Sequence, residues 1–177
     1  INSHFSKRKT KNQNKDKIQL YQSLLNKSLL DRKGQLTSPT DFAIKYGFGV
    51  IKFTPTSPTL PFHGLLFDSP PGTLVKAIAD GSIAWMGPID GLGDTIILDH
   101  GREIHSLYSR VTLANLRIGD MIEEGTVFSR VTRSTHFIAD GLYFELREHG
   151  IPTNPLLWIL SKTEFLQKTS SSLENVQ

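Results

Sequence analysis

From Gly34 onward the chain is built of short apolar runs separated by Gly, Pro and Asp, and that punctuation limits the fold more than any other feature. Runs at Gly49–Phe53, Phe62–Phe67, Leu74–Ala77, Ser82–Trp85, Thr95–Leu98, Ile104–Tyr108, Thr126–Val131 and Leu142–Leu146 read as strands. Their length and spacing predict an all-β body, a compact sandwich or barrel-like domain. Pro70-Pro71-Gly72 restricts and then frees the backbone, and Asp80-Gly81 sets a permissive residue before the next strand. Trp85, Ile97, Phe128, Tyr143 and Trp158 are read as core or groove-lining residues, each contributing about 2 kcal/mol on burial.

The flanks differ in character. Residues 1–17 are polar and basic, which predicts a disordered segment. Ile18, Tyr21, Leu25 and Leu29 recur at helical spacing, so 18–30 is predicted to be a short amphipathic helix, either packed on the domain or ending a coiled coil. The expected domain spans 36–160, and 161–177 is a polar tail.

Net charge separates the same parts. The formal charge is +3, yet residues 1–33 hold nine Lys or Arg against two Asp, which leaves the other 144 residues at −4. A duplex-binding protein needs its cations on the folded surface, so no nucleic acid is expected as a partner. The tail run Lys7-Arg8-Lys9-Thr10-Lys11 reads as solvated chain, with anionic lipid or wall polymer as the alternative contact. No cysteine occurs, which removes disulfides, thiol nucleophiles and thiolate metal sites together. No run approaches the roughly 18 apolar residues of a membrane span. The chain opens on Ile1 rather than Met, the expectation for a processed or truncated sequence.

Four separated blocks then carry a likeness. They are Phe62-His63-Gly64-Leu65-Leu66-Phe67 with Pro71–Ala77; Ala79–Ile83 with Gly91–Gly101; His105–Val111 with the glycines Gly119 and Gly125; and Gly141-Leu142-Tyr143-Phe144-Glu145-Leu146, closed by Gly150, Pro152 and Asn154-Pro155. In that order they resemble the LytM-type, lysostaphin-like zinc peptidase domain of the peptidase M23 family. The resemblance runs from Phe62 to Ile159 and implies that family's β-rich fold.

The likeness fails at every position that carries the family's chemistry. Anchored on Gly64, it puts Phe62 where a ligand histidine stands and Leu66 where a ligand aspartate stands. The last block puts Gly141 at the catalytic histidine and Tyr143 at the second zinc-binding histidine, and Arg110 falls at the auxiliary histidine. A catalytic zinc needs about three protein donors. Phe62 and Leu66 have no lone pair, and a phenol with an ordinary pKa near 10 replaces imidazole poorly. Gly141 cannot move a proton, and a permanently charged Arg110 cannot act as a base. No catalytic residue, metal or cofactor is therefore expected. A rebuilt metal site from His63, His105 and His136 is the weaker alternative, and a biotinyl- or lipoyl-type carrier lacks its presented lysine.

What the resemblance implies is a pseudoenzyme of the kind found in EnvC-type murein hydrolase activators, which switch on N-acetylmuramoyl-L-alanine amidases. Phe62, Leu66, Arg110, Gly141 and Tyr143 would then line a partner-binding groove, apolar at its floor and directional at Arg110. The implied partners are an amidase, with peptidoglycan and a membrane-associated division protein as further candidates. The implied location is the periplasm or cell envelope. A noncatalytic peptidoglycan-binding module and a residual zinc metallopeptidase are the alternatives.

Overall fold

Antiparallel pairing organises the chain. The structure, a computed structural model, describes residues 29–52, 54–113, 115–133 and 140–159. A short 3-10 turn at Leu29–Arg32 leads into β1 (Ile44–Tyr46), β2 (Gly49–Ile51), β3 (Leu60–Phe62) and β4 (Leu65–Phe67). There follow β5 (Leu74–Lys76), β6 (Gly81–Ile89), β7 (Gly93–Asp99), β8 (Ile104–Ser109), β9 (Met121–Ile122) and β10 (Val127–Arg130). The last are β11 (Tyr143–Glu148) and β12 (Ile151–Thr153), before a closing 3-10 turn at Pro155–Leu157.

The large sheet has the order β1-β4-β11-β8-β7-β6-β9, with β12 also paired to β11; β5 and β10 form one small sheet and β2 and β3 another. This is the β-rich, sandwich-like body that the punctuation predicts. The expected run Phe62–Phe67 is divided between β3 and β4 at His63-Gly64. Gly64 lies so close to β11 that an added Cβ would sit 2.3 Å from the Phe144 carbonyl oxygen. Of the predicted helix at 18–30, only Leu29 and Leu30 fall among the described residues, in the 3-10 turn. The rest of that segment, the basic segment 1–17 and the tail 161–177 lie outside them.

Strand alternation gives the large sheet two buried faces. Directly paired residues share a face, so the row Met86, Ile96, Tyr108, Phe144 and Leu65 looks one way. The adjoining row Gly87, Thr95, Ser109, Tyr143 and Leu66 looks the other. The first face forms the main core, covered by the small sheet of β5 and β10: Phe128 meets the Tyr108 ring edge-on at 4.9 Å, and Val75 is fully buried. Trp158 is 0% exposed in the same core, whereas Trp85 and Ile97 are only half-buried. Leu36 donates its N–H to the Trp158 carbonyl at 3.0 Å, joining the two ends of the body.

His100 shows how a buried polar group is accommodated at the β7–β8 turn. Its Nδ1 lies 2.7 Å from the Asp80 carbonyl oxygen, which can only accept, so Nδ1 carries the proton. Nε2 therefore accepts from the Ser106 hydroxyl at 2.7 Å. Burial holds the ring's pKa below its ordinary 6.5, against the Asp80 hydrogen bond and the charge of Asp99. The unfolded chain thus takes a proton here as the pH falls through about 6.5 while the folded chain does not, and folding weakens on acidification. His100→Ala is expected to cost about 2–4 kcal/mol at pH 7, through a cavity and two abandoned hydrogen-bond partners. It should also flatten the drop in urea midpoint between about pH 7 and 5. A variant as stable as the wild type, with the same acid slope, would contradict this role.

Candidate functional site

On the second face, Phe62, Leu66 and Tyr143, the positions that the resemblance assigns to the zinc site, come together. Tyr143, at the start of β11, is register partner to Leu66 in the middle of β4. The Phe62 ring, from the end of β3, stands edge-on to Tyr143 with centroids 5.4 Å apart and planes at 84°. Tyr46 of β1 packs on Phe62 at 6.4 Å, and Ile51 of β2 and Leu92 of the β6–β7 turn complete a second apolar cluster. Phe62, Leu66 and Tyr143 are 9%, 0% and 4% exposed. The presumed groove floor is in fact packed interior, each of these side chains contributing about 1.5–3 kcal/mol by burial.

Gly141 borders the cluster in a backbone conformation closed to other residues. Its φ is +136°, and an added Cβ would fall 2.0 Å from the Phe67 carbonyl oxygen and 3.5 Å from Leu66 Cδ1. A histidine cannot occupy this place on this backbone.

Arg110 follows directly after β8, is 3% exposed and has a left-handed φ of 66°. Its N–H donates to the Asp94 carbonyl at 2.7 Å, and its own carbonyl accepts from Thr132 at 2.7 Å. Burial lowers the pKa of its guanidinium, and the nearby Asp140 and Tyr143 oppose that shift. The side chain is a held cation beside the phenol.

Two residues that sequence reasoning did not single out finish the polar edge. Tyr143 donates its hydroxyl to Glu145 Oε2 at 2.6 Å, and Arg147 Nε donates to Glu145 Oε1 at 2.6 Å. Glu145 is 2% exposed. Burial first, then the hydrogen bond and charge of Glu145, push the phenol far above its ordinary value of 10. Tyr143 is thereby kept as a neutral hydrogen-bond donor and offers no phenolate to a metal. Glu145 stands two residues beyond Tyr143 on the same strand face, a spacing from which the contact could have been read. Tyr46, Ile51 and Leu92 carried no comparable signal.

The histidine alternative finds no geometry in its favour. His63 is exposed; His105 pairs loosely with Asp99 at 3.9 Å; His136 lies outside the described residues. Asp68 is taken by Lys45 at 3.1 Å. Among the described residues no group of three His, Cys, Asp or Glu is arranged to hold a metal ion. The side chains of this cluster do not fit a zinc ion, because they are hydrocarbon and a phenol committed to Glu145.

Comparison with known proteins agrees with this frame. The chain is 30% identical over 142 residues to the murein hydrolase activator EnvC of Escherichia coli, covering 75% of this chain and 32% of that one. Among solved structures it is similar to a zinc-containing peptidase from Vibrio cholerae, with a TM-score of 0.63, 19% identity, and coverage of 73% of this chain and 41% of the other. It is likewise similar to Helicobacter pylori Csd3, with a TM-score of 0.59, 23% identity, and coverage of 80% and 42%. The chain spans about a third of the length of EnvC and of a second curated relative from Haemophilus influenzae. The family described as Peptidase family M23 matches residues 61–155, more than half of the sequence. The chain therefore belongs to peptidase family M23.

Proposed function

We propose that the domain, taken as 36–160, is a noncatalytic regulator that binds and activates a peptidoglycan N-acetylmuramoyl-L-alanine amidase in the periplasm or cell envelope. The observation that carries this reading is the replacement of the metal site by the packed set Phe62, Leu66 and Tyr143, with Gly141 at its border and Arg110 beside it. The similarity to a murein hydrolase activator supports the choice of partner. Leu66 and Tyr143 are buried under β2 and β3, so a helix with an apolar stripe and one acidic or carbonyl contact would reach them, and the Arg110 cation beside them, only where those strands part from the body. Activation then follows if the amidase binds more tightly in its open state than in its closed state.

The test is an amidase turnover assay on labelled peptidoglycan. The chain alone is expected to release no label, and together with its amidase to raise label release severalfold. Arg110→Gln removes the charge but keeps a hydrogen-bonding side chain, and is expected to lower the stimulation about tenfold, the value of one charge-assisted bond. Near-UV circular dichroism would confirm that the variant is folded. Undiminished stimulation by folded Arg110→Gln would place the contact elsewhere. Binding to sedimented cell wall without any effect on an amidase would favour the peptidoglycan-binding module.

A further inference from the structure

The small sheet of β2 and β3 lies over Leu66 and Tyr143, and its attachment to the body is unlike that of any other strand pair. β2 pairs only with β3, and β3 only with β2, among the described residues. Among the described residues, the backbone bonds outside this pair stay within it: Ser57 donates to the Thr54 carbonyl at 3.1 Å, and the side-chain bonds of Thr54, Thr56 and Ser57 are mutual. The small sheet of β5 and β10, by contrast, is tied to the rest by Lys76 N–H to the Pro39 carbonyl at 2.9 Å and Thr112 N–H to the Arg130 carbonyl at 2.9 Å.

What holds β2 and β3 down is the inward face of two side chains. Ile51 and Phe62 are 8% and 9% exposed and pack on Leu66, Tyr143, Tyr46 and Leu92. The outward face is open, with Val50 72% exposed opposite Pro61. At the β2 end the pair joins β1 through Gly47 and Phe48, and Gly49 has a φ of +120°. An added Cβ on Gly47 or Gly49 would meet nothing within 4 Å, so neither glycine is wedged against the body. At the β3 end Gly64 is wedged against Tyr143 and Phe144, which makes it the fixed side.

We infer that β2 and β3 form a flap that opens as a unit about Gly47–Gly49 and controls access to Leu66 and Tyr143. Apolar packing without backbone hydrogen bonds to the body can part without breaking the large sheet, so the opening is local rather than global. The inference rests on the amidase-binding reading in naming what the flap admits; the motion itself does not depend on it. A partner stripe that replaces Ile51 and Phe62 would find the same apolar surface, and closed flap and partner would compete. The apparent affinity would then be reduced by the fraction of molecules that are closed.

The experiment compares the full chain with Ile51→Ala by amide hydrogen exchange and by binding of a fluorescently labelled amidase. In the wild type, amides of β2 and β3 are expected to exchange faster than those of β8 and β11. In Ile51→Ala they should exchange about tenfold faster still with β8 and β11 unchanged, and amidase affinity should rise by a similar factor. Exchange of β2 and β3 at the rate of β8 in both proteins would overturn the flap. Faster exchange with unchanged affinity would overturn its control of the site. If neither protein binds the amidase while β2 and β3 still exchange faster in the variant, the flap stands and the activator reading fails. Should Ile51→Ala loosen the whole domain, Ile51→Val is the second variant, with a smaller change expected in the same two readouts.

Discussion

Leu66→Asp, which puts a carboxylate at the position that the resemblance assigns to a ligand aspartate, is expected to unfold the domain at neutral pH rather than to begin a metal site. Leu66 is fully buried between Phe62, Tyr143 and the backbone at Gly141. Truncating its packing costs about 2–5 kcal/mol, and an unpaired buried carboxylate adds several more. A domain of this size has about 5–15 kcal/mol in total. Burial would raise the pKa of the new carboxyl, so the folded state would hold the proton more tightly than the unfolded chain. The deficit is then largest above that raised pKa and shrinks as the pH falls through it. Urea denaturation of the variant at about pH 7 and pH 5, each referred to the wild type at the same pH, reads both the size and the sign. A loss below about 1 kcal/mol at neutral pH would mean that Leu66 faces water and that the cluster is an open groove.

Gly141→His, which puts a histidine at the position that the resemblance assigns to the catalytic one, is expected to be nearly as damaging for a different reason. A φ of +136° is a conformation that L side chains rarely adopt, and the Cβ would overlap the Phe67 carbonyl at 2.0 Å. Strain and overpacking together come to about 3–5 kcal/mol. In thermal denaturation this lowers the midpoint by roughly 10–20 °C. Because the obstacle is the Cβ, Gly141→Ala should show most of the loss. An alanine variant that melts with the wild type would show that the backbone here relaxes freely, and histidine could then be accommodated.

These two positions indicate why the site was partly legible. The family spacing named Phe62, Leu66, Gly141 and Tyr143 together, and the structure makes them neighbours, since strand register converts sequence phase into lateral contact. The spacing could not show that the space between them is filled. Ile51 and Tyr46 come from strands that precede the matched region, and their contact with Phe62 is long-range packing without a local signature. Glu145 was visible as a letter of the final block, but its burial and its bond to Tyr143 became apparent only with the strand in place.

The strands follow the same logic. β7, β8 and β11 are central, and as short apolar runs set off by Gly, Pro and Asp they were readable. β1, β9 and β12 were missed because two or three residues are too few to show a period, and Pro152 argues locally against a strand. β6 runs on to Ile89, past the expected end at Trp85, despite Gly87-Pro88. Its second neighbour β9 pairs only with Gly81 and Ser82, so no partner on that side requires an N–H from Pro88.

Zinc titration of the tag-free chain by calorimetry tests the account most directly. The prediction is no saturable uptake at any concentration that fills a catalytic site, since Phe62 and Leu66 supply no donor atom and Tyr143 keeps its proton in a hydrogen bond donated to Glu145. Binding of about one zinc per chain, lost on Tyr143→Phe, would show that the pocket still holds metal and would contradict it.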